Sequence, residues 1–243
     1  IIARNLSPDE FGLVSLAMVF VLFAMVLSDA GIGRSLLRDR NVDQLVWSSA
    51  FWLLTAIGLG LAVCILGTAQ LVAWAYESEE LGQIMSLLAI IPLIQSVSAV
   101  LSVHLEKERE FFKLAAVTFL SAAAGAAGAV WLAIGGFGAW SLAAQQLIMF
   151  GSQLVILMLV SRFRPALRFS LSCLGQHLRF GIDTIGWALL QFANRQSVRI
   201  AISKVGTLDE LGTYAMAGRF ARLPGLVVVQ PIGQVIYVKM ASS

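Results

Sequence analysis

Long, almost unbroken apolar runs alternate with short polar segments along the whole chain. Residues 11–27, 49–75, 84–103, 114–134 and 141–160 are the clearest runs, and two more polar ones follow at 180–203 and 211–238. A helix rises 1.5 Å per residue, so about twenty residues cross the roughly 30 Å of bilayer hydrocarbon. Helices of a soluble domain show water a polar face, and these runs have none. The pattern predicts an all-α, polytopic transmembrane helix bundle. Ile1–Ile2 reads as the tail of a helix that starts earlier, and the chain stops at Ser243 soon after a span. Counted in this way, an internal fragment of about seven complete spans is expected.

Composition agrees. Of 243 residues, 58% are hydrophobic and 13% charged, against about a quarter charged in a soluble domain. Cys64 and Cys173 are far apart in the chain, and His104 and His177 sit at loop edges without ligand-like neighbours. The spacing argues for two free thiols and against a metal centre or bound cofactor.

The formal net charge of +3 matters less than where the charge lies. Loops alternate between two sides. One side has 34–46 (Arg34, Arg38, Arg40), 104–113 (Lys107, Arg109, Lys113) and 162–179 (Arg162, Arg164, Arg168, Arg179). The other side has only Arg4 in 3–10 and Lys204 in 204–210, with no basic residue in 77–82 or 135–140. Ten basic residues against two is a strong positive-inside bias, which predicts that the first side is cytoplasmic. In 162–179, Leu167, Leu171, Leu174 and Leu178 recur at helical spacing with Arg168 and Arg179 off the stripe. That predicts a short amphipathic helix, lying in the interface or packed as a cytoplasmic loop helix.

An offset of 200 positions aligns the start of the chain with its end. Asp9, Glu10, Gly12, Ala17 and Phe20 meet Asp209, Glu210, Gly212, Ala217 and Phe220; Ile2, Ile32 and Gly33 meet Ile202, Ile232 and Gly233. Six spans lie between the copies, an even number, so both run in the same direction. The expected whole is two parallel lobes of six helices with a cleft between them. Residues 1–161 then belong to the first lobe, 162–179 form a basic cytoplasmic linker, and 180–243 begin the second lobe. Asp and Glu before each helix suit its positive end, and the Gly allows close backbone approach.

The charged residues inside the last two spans stand out. Span 181–203 carries Asn194, Arg195 and Arg199, and the next carries Arg219 and Arg222. A central arginine costs about 2.5–3.5 kcal/mol, so such residues face water, another charge or an anionic ligand unless they reach the interface. Arg195 and Arg199 share a helix face, as do Arg219 and Arg222. The set predicts a positively lined cavity in the outer half of the bilayer. Pro92, Pro224-Gly225 and Pro231 should bend or break their spans, and SAAAGAAGA at 121–129 should let helices pack closely.

ARNLSPDEFGLVSLAMVF, SDAGIG, SSAFWL, HLEKEREF, GGFGAWSLAAQQL, LRFGIDTIG and QPIGQVIY, in this order, resemble polysaccharide flippases. These form the lipopolysaccharide or polysaccharide biosynthesis branch (Wzx-like) of the multidrug/oligosaccharidyl-lipid/polysaccharide exporter superfamily. The resemblance implies a non-enzymatic transporter of the bacterial inner membrane, built of two six-helix lobes. It would flip undecaprenyl-pyrophosphate-linked oligosaccharide for O-antigen, capsule or exopolysaccharide synthesis. Implied partners are the lipid-linked oligosaccharide, membrane lipids, and a polymerase and glycosyltransferases of the same pathway, but no nucleic acid. Arginine binds pyrophosphate through paired hydrogen bonds, so Asn194, Arg195, Arg199, Arg219 and Arg222 are the candidate substrate contacts. A cation-coupled multidrug exporter would call for embedded acids, which are scarce here. An integral-membrane enzyme acting on polyprenyl-linked glycans would call for larger loops.

Overall fold

Residues 7–29, 31–39 and 42–224 are described by the structure, a computed structural model. The side chains of Asp29, Arg34, Asp183, Arg219 and Arg222 lie outside the described set, as do Arg4, Arg40 and everything from Gly225 onward, including Pro231. Among the described residues there are nine α-helices and no strand. They are α1 (Pro8–Asp29), α2 (Ile32–Arg38), α3 (Gln44–Ala75), α4 (Glu79–Leu88), α5 (Ile91–Lys107), α6 (Phe111–Ile134), α7 (Ala139–Val160), α8 (Gly175–Val205) and α9 (Leu208–Pro224).

Five stretches are long and apolar enough to cross a membrane: Pro8–Ser28, Gln44–Ala75, Glu79–Lys107, Phe111–Ile134 and Ala139–Val160. α8 has the length, at 31 residues, but its arginines and amides lower its hydropathy. The third span is broken where Pro92 was expected to act. α4 ends at Leu88, Ala89 and Ile90 form a turn, and α5 restarts with Pro92 in its first turn, where a missing N–H costs nothing.

Successive spans run up and down, so the loops gather at two ends. Two apolar cores stack along the bundle. One joins the start of α1, the end of α3, α4, the start of α7 and Leu211 of α9. The other joins α2, the start of α3, α5, Val117, Leu157, Phe163 and Leu174. The basic loops lie at the end of the second core. There Lys107 donates to the carbonyls of Leu36 (3.2 Å) and Asp39 (2.9 Å) and lies over the Trp47 ring. Outward, Trp74, Phe112, Phe119, Trp131 and Leu159 are all more than 70% exposed, as a lipid-facing surface requires. α6 packs on α7 through its small residues: a Cβ at Gly125 would lie 2.9 Å from the Gln145 carbonyl oxygen.

The opposite end is capped twice in the same way. Glu10 accepts from the Ser7 N–H (2.7 Å) while Ser7 Oγ accepts from the Glu10 N–H (3.3 Å). Glu210 accepts from the Thr207 N–H (3.0 Å) while Thr207 Oγ1 accepts from the Glu210 N–H (3.2 Å). These are reciprocal capping boxes, so the hydroxyl residue and the glutamate do the capping. Asp9 and Asp209, also read from the sequence as caps, add their charge to the first turns.

The amphipathic helix expected in the linker is absent over its first part. The chain leaves α7 at Ser161 and runs without helix to Leu171, then forms a 3-10 turn at Ser172–Leu174 that leads into α8. The start of α3 supplies the hydrogen bonds that a helix would have made. Ser48 Oγ accepts from the Ala166 N–H (3.0 Å) and Ser49 Oγ from the Ser170 N–H (3.0 Å). Trp52 Nε1 donates to the Ala166 carbonyl (2.9 Å) and Gln44 Nε2 to that of Arg164 (2.9 Å).

Candidate functional site

α1 meets α9 and α8 on its way through the bundle, and meets them differently. At the capped end it crosses α9 backbone to backbone. A Cβ at Gly12 would collide with the Leu208 carbonyl oxygen, and one at Gly212 with that of Pro8. The second would also sit 2.9 Å from the Gly12 nitrogen, and the first 3.2 Å from the Gly212 nitrogen. Pro8 and Leu208 are themselves 200 positions apart. The contact is reciprocal, copy against copy, as between elements related by a two-fold axis.

Inward of this crossing lies a cavity of about 160 Å³ bounded by α1 (Phe11 to Leu22), α7 (Leu142, Gln146), Ala215 of α9 and Arg199 of α8. Arg199 is half-buried there and donates from Nη1 to Gln196 Oε1 (3.2 Å). Leu22 also walls a second cavity of about 440 Å³, opened between α1 and α8 by Met25, Val26, Trp187, Gln191, Phe192, Arg195 and Gln196. The Phe23 and Phe192 rings meet at 5.5 Å beside it, so large side chains hold the two helices apart. The capped end of α8 is fastened elsewhere: Lys204 lies 5.8 Å over the Tyr76 ring, and Tyr76 Oη and Ser203 Oγ share a hydrogen bond.

Of the residues expected at the site, Arg195 lines the larger cavity and Arg199 the smaller. Asn194 is exposed and lines neither. Arg219 and Arg222 lie on α9, with side chains outside the described set. Sequence reasoning passed over Gln146, Gln191, Gln196, Trp187 and Phe192. Trp187, Gln191, Arg195 and Arg199 recur every fourth residue, and extending the arginine face back along its helix would have found the first two.

Among the described residues no carboxylate lines either cavity. An anionic oxygen about 4 Å from one of these guanidiniums gains on the order of 4 kcal/mol at an effective dielectric of 20. That offsets the cost of about 2.5–3.5 kcal/mol for holding an arginine at membrane depth. The glutamines can hydrogen-bond neutral hydroxyls, and the tryptophan and phenylalanine rings offer apolar faces. The arrangement can therefore hold an anion, polar hydroxyls and an apolar group side by side. Among the described residues no group of three His, Cys, Asp or Glu side chains could hold a metal ion.

The family profile described as "Polysaccharide biosynthesis protein" matches residues 1–243. The chain is 32% identical over 237 residues to the succinoglycan biosynthesis transport protein ExoT of Rhizobium meliloti (strain 1021), covering 98% of this chain and 48% of that protein. It is 25% identical to the lipopolysaccharide biosynthesis protein WzxC of Escherichia coli (strain K12), over 98% of this chain and 49% of that protein. It is 24% identical to the teichuronic acid biosynthesis protein TuaB of Bacillus subtilis (strain 168), over 85% and 43%. The chain thus spans about half the length of the curated relatives it matches. No solved structure gives a significant match.

Proposed function

The chain belongs to the polysaccharide biosynthesis protein family, and on that premise we propose that it is part of a flippase for lipid-linked oligosaccharide. The cargo is an undecaprenyl-pyrophosphate-linked repeat unit, turned across the bacterial inner membrane for surface polysaccharide assembly. Residues 1–161 form the first lobe, 162–179 a linker on the cytoplasmic side together with loops 34–46 and 104–113, and 180–243 the start of the second lobe. The protein moves its substrate and makes or breaks no covalent bond in it. A polymerase and glycosyltransferases of the same pathway act before and after it.

The observation that carries this reading is the pair of adjoining cavities with Arg195 and Arg199 on their walls, beside Gln146, Gln191 and Gln196. Arg195 and Arg199 hold the pyrophosphate, joined by Arg219 and Arg222 of α9. Gln146, Gln191 and Gln196 meet sugar hydroxyls, and the apolar flank between α1 and α8 takes the first part of the lipid. Close Gly12–Gly212 contact supports a state closed at the capped, outer end.

The test is surface-polysaccharide export by the full-length protein carrying Arg195→Ala and Arg199→Ala. A lost charge-assisted hydrogen bond of about 1.5–3 kcal/mol predicts a fall in export of roughly tenfold to a hundredfold for each. Arg199→Lys should recover only part, because an ammonium lacks the planar fork. Asn194→Ala should export normally. Normal glycan from the double arginine variant, at normal protein level, removes the proposal.

A further inference from the structure

The linker that leaves α7 presents a surface that the transport reading does not use. Leu167 is 90% exposed, Phe169 51% and Leu171 55%, and all three lie within five residues. Arg162 precedes them and Arg168 lies between Leu167 and Phe169; both are exposed, and neither forms an ion pair among the described residues. Arg164 is spent otherwise: its Nη1 donates to the carbonyls of Ser161 and Phe163 (3.2 Å each) and stabilises the end of α7. This is an apolar patch edged by two unpaired guanidiniums, on a segment that makes no helix.

Its depth can be read from α3. The lipid-facing side of that helix shows Leu59, Val63, Leu66, Leu71 and Trp74, each at least half exposed. Counting back from Trp74, roughly 30 Å of hydrocarbon takes up about twenty residues and ends near Thr55. The linker is tied at Ser48, Ser49 and Trp52. These positions lie about 5–10 Å beyond that edge at 1.5 Å per residue, within the headgroup layer, where tryptophan is favoured. Hydrogen bonds to a membrane-spanning helix therefore hold the segment at the one depth where arginines meet phosphate and leucines beside them reach acyl chains.

We propose that residues 162–171 form a strap that binds anionic phospholipid headgroups of the leaflet at this end. Arg162 and Arg168 contact the phosphates, and Leu167, Phe169 and Leu171 dip beneath them. A cytosolic protein partner would leave the matched depth and the positive charge without purpose, whereas an anionic bilayer surface uses both. The strap then anchors the connection between α7 and α8 in the membrane plane. The inference requires that the bundle spans a bilayer but does not depend on what it transports.

The test uses the full-length protein with Cys64→Ser, Cys173→Ser and Leu167→Cys, labelled at residue 167 with an environment-sensitive fluorophore. It is placed in nanodiscs of equal phosphatidylcholine and phosphatidylglycerol, with a nitroxide quencher near the headgroup of one lipid or the other. Quenching should be several-fold stronger when the nitroxide is on phosphatidylglycerol, since each basic residue near the surface is worth roughly fivefold in anionic preference. Arg162→Gln with Arg168→Gln should make the two lipids equal while quenching persists. A fluorophore that neither lipid quenches, or that both quench equally with the arginines intact, overturns the proposal. Residue 167 is so exposed that the label does not threaten folding, and glycan export measured on the same variant separates this result from the transport reading.

Discussion

The same helix, α1, closes against one neighbour and opens against another within about three turns. At Gly12 it touches α9 with nothing but backbone between them. From Leu22 onward, Met25, Val26, Trp187 and Phe192 hold it away from α8 and leave a cavity of about 440 Å³. Side-chain volume at a handful of positions decides where the seam is shut and where it is open. The closed contact is flanked by the capping carboxylates Glu10 and Glu210, and the open part carries the arginines.

The largest effect should come from filling the closed contact. Gly12→Leu or Gly212→Leu forces a side chain into the partner's backbone, so the helices must part or the fold must give way. Such overpacking costs on the order of 1–3 kcal/mol or more, read as a lower unfolding temperature in detergent. Gly60→Leu, where a Cβ meets nothing within 4 Å, is the control. If all three behave alike, the reciprocal crossing has no energetic meaning.

Next in size is the buried amide of the open part. Gln196 is only 9% exposed and accepts from Arg199. Gln196→Leu removes that acceptor and should cost about 1.5 kcal/mol for the lost hydrogen bond to a charged group, seen as loss of stability together with reduced export. An unchanged protein would mean that Arg199 does not need this bond to hold its place.

The smallest effect tests the symmetry at the capped end. Ser7→Ala and Thr207→Ala each remove one half of a capping box, worth about 1 kcal/mol. Losses of equal size would sharpen the likeness between the two copies. A loss at only one would show that matching geometry conceals unequal loading.

Much of this was legible in the chain. Apolar runs marked the spans, Pro92 marked the break between α4 and α5, and the 200-residue offset picked out Gly12 and Gly212 before any contact between them was known. The linker was misread for a physical reason. Leucines at helical spacing satisfied the pattern, but Gln44, Ser48, Ser49 and Trp52, more than a hundred residues earlier, hold the backbone out of a helix over residues 161–171. Asn194 lines neither cavity. It neighbours Arg195 in sequence, yet one residue along a helix turns the side chain by about 100° and away from the cavity.

What the sequence alone determined is the kind of molecule this is, because solvent preference acts residue by residue and apolar length must match bilayer thickness. It also determined where charge is too costly to be idle. Only the tertiary structure decided which arginine shares a wall with which amide, that the repeat copies touch each other, and that the linker lies along α3. Those outcomes depend on side-chain volumes and backbone hydrogen bonds meeting across helices distant in the chain, and no local pattern carries that information.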